Sequence, residues 1–188
     1  MQAVIASPDP DHFERLSAMV NEIGQTFTIR VDLDVYPRLT LAVAERFDQS
    51  RIEPALAKIA AAHAPVTLTT SGLGMFTGAE VGLYVAVVKT PVLVAFHRAV
   101  YAAVEPLATA MEAAYAPAVW LPHLPLVRED VFKGDIAPIA GYLSRRKFSW
   151  QLAIVDLVYS VDTTLTPRRL FKLPLTGGSD GTHRGPAG

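Results

Sequence analysis

Hydrophobic positions along the chain change their period several times, and each change predicts an element. Ala3 to Ala6 is a continuous apolar run that ends at Ser7, Pro8 and Asp9. Beyond it Phe13, Leu16, Val20 and Ile23 recur at helical spacing as far as Gly24. A strand and then an amphipathic helix are predicted. Arg38 to Phe47 suits a second strand with Leu39, Leu41 and Val43 on one face. The Ala-rich stretch from Ile52 to His63 suits a second helix, with Pro54 in its first turn, where proline is tolerated. Val66 to Leu73 and Val81 to Val88 are β-branched or apolar runs separated by Gly74, Thr77, Gly78 and Ala79, the pattern of a hairpin-like pair.

Pro91 to Ala114 is helical in pattern, with Pro106 marking a break. Trp120 to Val127 reads as a strand interrupted by Pro122 and Pro125. Ile136 to Leu143 reads as a short helix, and Phe148 to Val161 and Leu170 to Leu173 as two further strands. Residues 176–188 hold five glycines and a proline, and this tail is expected to be disordered. Residues 1–175 then form a single domain in which strands and helices interleave in both halves, an α+β arrangement built from two similar units.

Composition narrows the chemistry. A chain of 188 residues has the length of one domain. It contains no cysteine, which excludes disulfides, Cys-type zinc sites, iron–sulfur clusters and a thiol nucleophile. The 17 Lys and Arg nearly cancel the 18 Asp and Glu, so a broad basic surface is missing while a local basic site is still allowed. The longest apolar run, Val81 to Val88, stops at Lys89, short of the roughly 18–20 residues a membrane span needs. The first residues lack the basic and apolar regions of a signal peptide. A soluble, cytoplasmic protein with no membrane partner is expected.

The two halves share a short internal match. Tyr36-Pro37-Arg38-Leu39-Thr40-Leu41-Ala42-Val43 aligns without gaps to Leu121-Pro122-His123-Leu124-Pro125-Leu126-Val127-Arg128, with the proline and two leucines identical. Each copy is a predicted strand whose third residue carries a large nitrogen-bearing side chain, Arg38 in one and His123 in the other.

At these residues the sequence resembles the two-histidine (2H) phosphoesterases, and in particular their 2′-5′ RNA ligase-like branch. That family carries a pair of His-x-Thr/Ser motifs, usually Pro-His-hydrophobic-Thr-Leu, one in each half. Trp120-Leu121-Pro122-His123-Leu124-Pro125-Leu126-Val127-Arg128 is close to its Trp-x-Pro-His-hydrophobic-Thr-Leu-x-Arg form, and Pro37-Arg38-Leu39-Thr40-Leu41 occupies the place of the other copy. Gly72-Leu73-Gly74-Met75-Phe76 before Val81 to Val88 is similar to the family's Gly-rich turn and aromatic ahead of a central strand. The resemblance implies a bilobed, pseudo-two-fold fold, with two antiparallel sheets around a central groove and helices packed outside. It also implies metal-free phosphodiester chemistry, in which one imidazole accepts a proton from the attacking oxygen and the other donates one to the leaving oxygen.

Two positions depart from that pattern. Arg38 stands where the first histidine belongs, and an always-charged guanidinium cannot serve as a general base. Pro125 stands at the second hydroxyl position and offers neither a hydroxyl nor an N–H. What survives is His123 as the one acid/base, with Arg38, Thr40 and Arg128 suited to hold phosphate oxygens. The resemblance therefore implies a divergent protein that binds, and weakly processes, 2′,3′-cyclic phosphate or 2′-5′ phosphodiester groups on RNA or nucleotides. The alternative is an inactive module of the same fold that binds a nucleotide or RNA end. No cofactor and no metal are expected, and a monomer suffices.

Each residue also admits a plainer role. His123 between two prolines can be a strand histidine bonded to backbone, Arg38 a surface partner of Asp32 or Asp34, Thr40 an ordinary strand residue, and Arg128 a solvated neighbour of Glu129 and Asp130. His12, His63, His97 and His183 form no metal-ligand spacing, and His97 is expected to be structural. Gly72-x-Gly74 with Gly78 has neither dinucleotide-fingerprint nor P-loop spacing, and Ser71 lacks a nucleophile-elbow frame. Arg145-Arg146-Lys147 beside Phe148 and Trp150, and Arg168-Arg169 with Lys172, are basic clusters. They suit RNA backbone contact and base stacking, although such clusters are more often solvated helix ends and edge-strand charges.

Overall fold

The computed structural model describes residues 1–29, 38–78, 81–128, 136–163 and 166–178. Eight strands and four α-helices follow one another as β1 (Gln2–Pro8), α1 (Pro10–Phe27), β2 (Leu39–Phe47), α2 (Gln49–Ala62), β3 (Val66–Phe76), β4 (Gly82–Val87), α3 (Pro91–Val104), β5 (Ala108–Met111), β6 (His123–Arg128), α4 (Ala137–Leu143), β7 (Gln151–Thr163) and β8 (Thr166–Pro174). The strands form one antiparallel path in the order β5-β2-β1-β7-β3-β4-β6, with β8 added on β7. This is the expected α+β architecture, and the two anticipated sheets are continuous through β3. The first residues of that strand pair with β7 and the later ones with β4.

The strand order is nearly a palindrome. The run β2-β1-β7 on one side mirrors β6-β4-β3 on the other, and the last strand of each half crosses to the other half. Helix starts repeat too. Asp9 caps α1 and Thr90 caps α3, each followed by a proline at the first helical position. There the missing N–H has no intrahelical acceptor to lose.

Strand bulges carry the symmetry into the motif copies. Val4 pairs with Ala42 and Ile5 with Thr40, so Leu41 is the extra residue in β2. Leu83 pairs with Val127 and Tyr84 with Pro125, so Leu126 is the extra residue in β6. Leu41 and Leu126 are equivalent positions of the aligned segments. A bulge turns the strand and breaks the simple alternation of faces. For that reason Leu39, Thr40, Leu41 and Ala42 are all buried, where alternation predicts Leu39, Leu41 and Val43 on one face.

Three other expectations are corrected. Helix α1 runs through Gly24 and ends at Thr28, whose left-handed backbone closes it. Helix α2 begins at Gln49 under an Asp48 cap, so Pro54 lies beyond the first turn. Past Pro106 the helix does not resume. Ala108–Met111 joins β2 as an edge strand instead.

The core is continuous from Val4, Leu16 and Ile23 through Leu41, Phe47 and Ile52 to Val85, Phe96, Trp120 and Leu157. At the chain's end, Thr176 donates to Ala60 O and Gly177 to His63 O, which docks the first residues of the predicted tail on the end of α2. Residues 179–188 of that tail lie outside the described residues. No described helix is long and apolar enough to cross a membrane.

Candidate active site

Both motif copies enter the site at the start of a bulged strand. Arg38 immediately precedes β2 and is half-buried, while His123 is the first residue of β6. The two strands belong to opposite ends of the sheet path, yet the sheet curls enough to bring them together at a seam. Trp120 closes it: its indole N–H donates to the Thr40 carbonyl at 3.0 Å, so the segment before β6 is hydrogen bonded directly to the first motif strand.

Helix α3 reinforces the seam. His97, 1 % exposed, donates from Nε2 to the Leu41 carbonyl at 2.9 Å, and its ring stacks on Trp120. Leu41 is the bulged residue of β2, so its carbonyl is available to a side chain. Burial pushes the His97 imidazole down to about 4, with the acceptor at Leu41 pulling the other way and Lys89 and Arg98 adding repulsion. The ring is therefore neutral at pH 7. Lys89 extends from the turn before α3 to the Trp120 carbonyl, at 2.9 Å.

His123 is oriented by backbone and by aromatics. A carbonyl can only accept, so Nδ1–H donates to Leu121 O at 2.9 Å, which leaves the neutral ring's lone pair on Nε2. Phe76 and Tyr84 meet the imidazole edge-on, with ring centres 5.0 and 5.2 Å away. Burial lowers the imidazole below its ordinary value. The Leu121 bond opposes that shift, and the positive charge of Arg38 adds to it. His123 is thus held neutral, with Nε2 able to accept a proton and little tendency to arrive already carrying one.

The aromatic pair explains the glycine-rich segment. Gly74 lies opposite Tyr84 in the β3–β4 ladder, and the tyrosine ring occupies the space that a side chain at Gly74 would need. Gly72, next to the bulge in β3, has φ +149°, a conformation that favours glycine. Tyr84 was missed by motif reading. Its signal was present, as an aromatic facing glycine in a hairpin, but only the register reveals that it also supports His123.

The remaining expected residues fall as follows. Thr40, 8 % exposed, is buried at the seam two residues beyond Arg38. Pro125 sits in β6 opposite Tyr84, beside the bulge, a position where a strand accommodates proline. Arg128 ends β6 opposite Gly82, and its side chain lies outside the described residues, as do segments 30–37 and 129–135 flanking the motif strands. Asp32 and Asp34, the suggested surface partners of Arg38, are among those. Among the described residues no group of three His, Asp or Glu side chains converges as a metal site.

Comparison with known proteins agrees with this architecture. The sequence matches the 2′-5′ RNA ligase superfamily over residues 8–160. Among curated proteins, none matches the chain. Solved structures with the same fold include TT0787 of Thermus thermophilus, with 16% identity and a TM-score of 0.62 over 94% of this chain and 98% of that one. E. coli LigT complexed with 3′-AMP aligns with 17% identity and a TM-score of 0.60, covering 93% and 97% of the two chains. LigT complexed with NADP+ aligns with 18% identity and a TM-score of 0.58, covering 93% and 96%. With the family match spanning both bulged motif strands and the shared fold spanning nearly the whole chain, the protein belongs to the 2′-5′ RNA ligase superfamily.

Proposed function

We propose that the seam between β2 and β6 binds a 2′,3′-cyclic phosphate or 2′-5′ phosphodiester group of RNA or a nucleotide, and slowly opens it with His123 as the sole general base. The observation that carries this reading is the placement of Arg38 and His123 at equivalent positions of two bulged strands, close enough for the guanidinium charge to act on the imidazole. Arg38 supplies a charge-assisted clamp for phosphate oxygens, with Thr40 two residues beyond it and Arg128 at the far end of β6. His123 Nε2 takes the proton of an attacking water as its oxygen bonds to phosphorus. The ester oxygen that leaves takes its proton from solvent, because Arg38 does not release one. Structures of LigT with 3′-AMP and with NADP+ support a nucleotide ligand for this fold.

Both motif strands come from one chain, so a monomer suffices, and the proposed setting is the cytoplasm. The test is hydrolysis of 2′,3′-cyclic nucleotides by purified protein. Slow turnover abolished by His123→Ala is expected, and turnover unchanged by that substitution overturns the assignment.

A second reading, a binding module without turnover, is favoured by one specific observation. The charged group that acts on His123 is the permanent cation of Arg38, where acid–base chemistry needs a group that exchanges protons. That reading expects cyclic nucleotides to raise the melting temperature without product. Restoring the pair by Arg38→His with Pro125→Thr then creates turnover about 10²–10⁴ above background, the usual contribution of a positioned acid–base group.

A further inference from the structure

A second basic site, sharing no residue with the seam, lies between α1 and the segment leading into β7. There Arg15, Ala18, Met19 and Glu22 of the helix face Arg146, Lys147 and Trp150 around an open pocket of about 340 Å³. Its charges are unequal. Glu22 is engaged by Arg146 and by the hydroxyl of Tyr142, and those bonds hold its carboxyl below the usual range. Arg15 instead lies over the Trp150 ring, 4.4 Å from its centre, and neither it nor Lys147 has a carboxylate partner among the described residues. A guanidinium stacked on an indole keeps its N–H edge for a ligand.

A second observation points the same way. Trp150 is 8 % exposed, and its indole N–H is buried with no acceptor among the described residues. Buried donors are nearly always satisfied, and the ring that carries this orphan donor lines the pocket. Two unneutralised cations and an unfilled N–H together ask for an oxyanion.

We propose that this pocket is a second anion site, which takes the phosphate group of a phosphorylated ligand on Arg15, Lys147 and the Trp150 indole, with Arg146 held in place by Glu22. The volume falls in the range of small-ligand pockets, so room remains beside one phosphate for the sugar attached to it. A free nucleotide and an RNA backbone both present this chemistry. The site shares no residue with the seam, so it stands or falls independently of the function proposed above.

The experiment is a titration of the purified chain with inorganic phosphate at constant ionic strength, followed by tryptophan fluorescence and calorimetry. It is repeated with 5′-AMP and with a single-stranded RNA oligonucleotide lacking a terminal phosphate. In the Arg38→Gln background, which disables the seam's phosphate clamp, saturable binding is expected to remain and to weaken at least tenfold when Arg15→Gln/Lys147→Gln are added. Both replaced side chains are exposed, so the double variant retains the fold, which circular dichroism checks. Tighter binding of 5′-AMP than of the oligonucleotide assigns the site to free nucleotides, and the reverse assigns it to RNA backbone. No saturable binding of any of the three in the Arg38→Gln background, or binding there that the two added substitutions leave unchanged, overturns the proposal.

Discussion

The imidazole of His97 lies flat against the indole of Trp120, with ring centres 3.8 Å apart and planes 2° from parallel. Each ring also donates a hydrogen bond to β2, His97 to the Leu41 carbonyl and Trp120 to the Thr40 carbonyl. One stacked pair, with one ring from α3 and the other from the approach to β6, thus holds the first motif strand against the second. Because both acceptors are buried backbone carbonyls, losing either donor leaves an unsatisfied polar group as well as a gap.

His97→Ala is expected to destabilise the protein by about 2–4 kcal/mol, combining a cavity with an orphaned carbonyl. Trp120→Phe should cost about 1–2 kcal/mol, since a stacking ring remains and only the N–H is lost. The two sites touch, so the double variant should lose less than the sum of the single losses. Urea unfolding of the four proteins measures the coupling, and strict additivity would contradict the stacked arrangement.

The same histidine makes stability depend on pH in a defined direction. In the unfolded chain it titrates near its ordinary value of 6.5, whereas in the fold burial lowers it to about 4. The unfolded state therefore binds protons more readily, and the stability this ring confers is complete above pH 6.5 and is lost as pH falls toward 4. The loss is on the order of 3 kcal/mol, and His123 adds to it in the same direction. Urea midpoints across pH 4–7 check this, with His97→Phe expected to flatten the curve.

Arg38 depresses the ionisation of His123, so Arg38→Gln should raise the imidazole toward its ordinary value without abolishing the downward effect of burial. In the native protein the acid limb of any His123-dependent turnover should lie below pH 6.5, and the substitution should move it up. A proton NMR titration of the His123 ring in the two proteins provides the reading. An unmoved midpoint would show that the two side chains do not interact.

Gly74→Ala tests the aromatic support. The added methyl enters the space of the Tyr84 ring, which packs on Phe76 at 4.4 Å and against His123. A loss of about 1–3 kcal/mol is expected from overpacking, together with a changed chemical environment at the His123 ring. Restoration of stability by Tyr84→Leu in the Gly74→Ala background would confirm that the ring is what the methyl meets.

Much of this arrangement was legible from residues alone. The period of apolar positions located strands and helices, because burial on one face imposes that period. The match between residues 36–43 and 121–128 marked the two motif strands, and the replacements at Arg38 and Pro125 could be read directly. Missing cysteine left oxygen, imidazole and guanidinium groups as the candidates for any chemistry.

Other features depended on pairing between distant segments. The bulges at Leu41 and Leu126 exist only in register with β1 and β4, and they overturned the predicted face of β2. His97 carried no motif, since a side chain that donates to a backbone carbonyl needs no particular residue on the other side. The basic run at Arg146 and Lys147 became a pocket only when α1 brought Arg15 to face Trp150, 135 residues away in the chain. Local pattern indicated most of the strands and helices and which side chains are candidates for the chemistry. The curl of the sheet and the register of its strands decided which of those side chains meet, because those contacts are set by packing and backbone hydrogen bonds between residues remote in sequence.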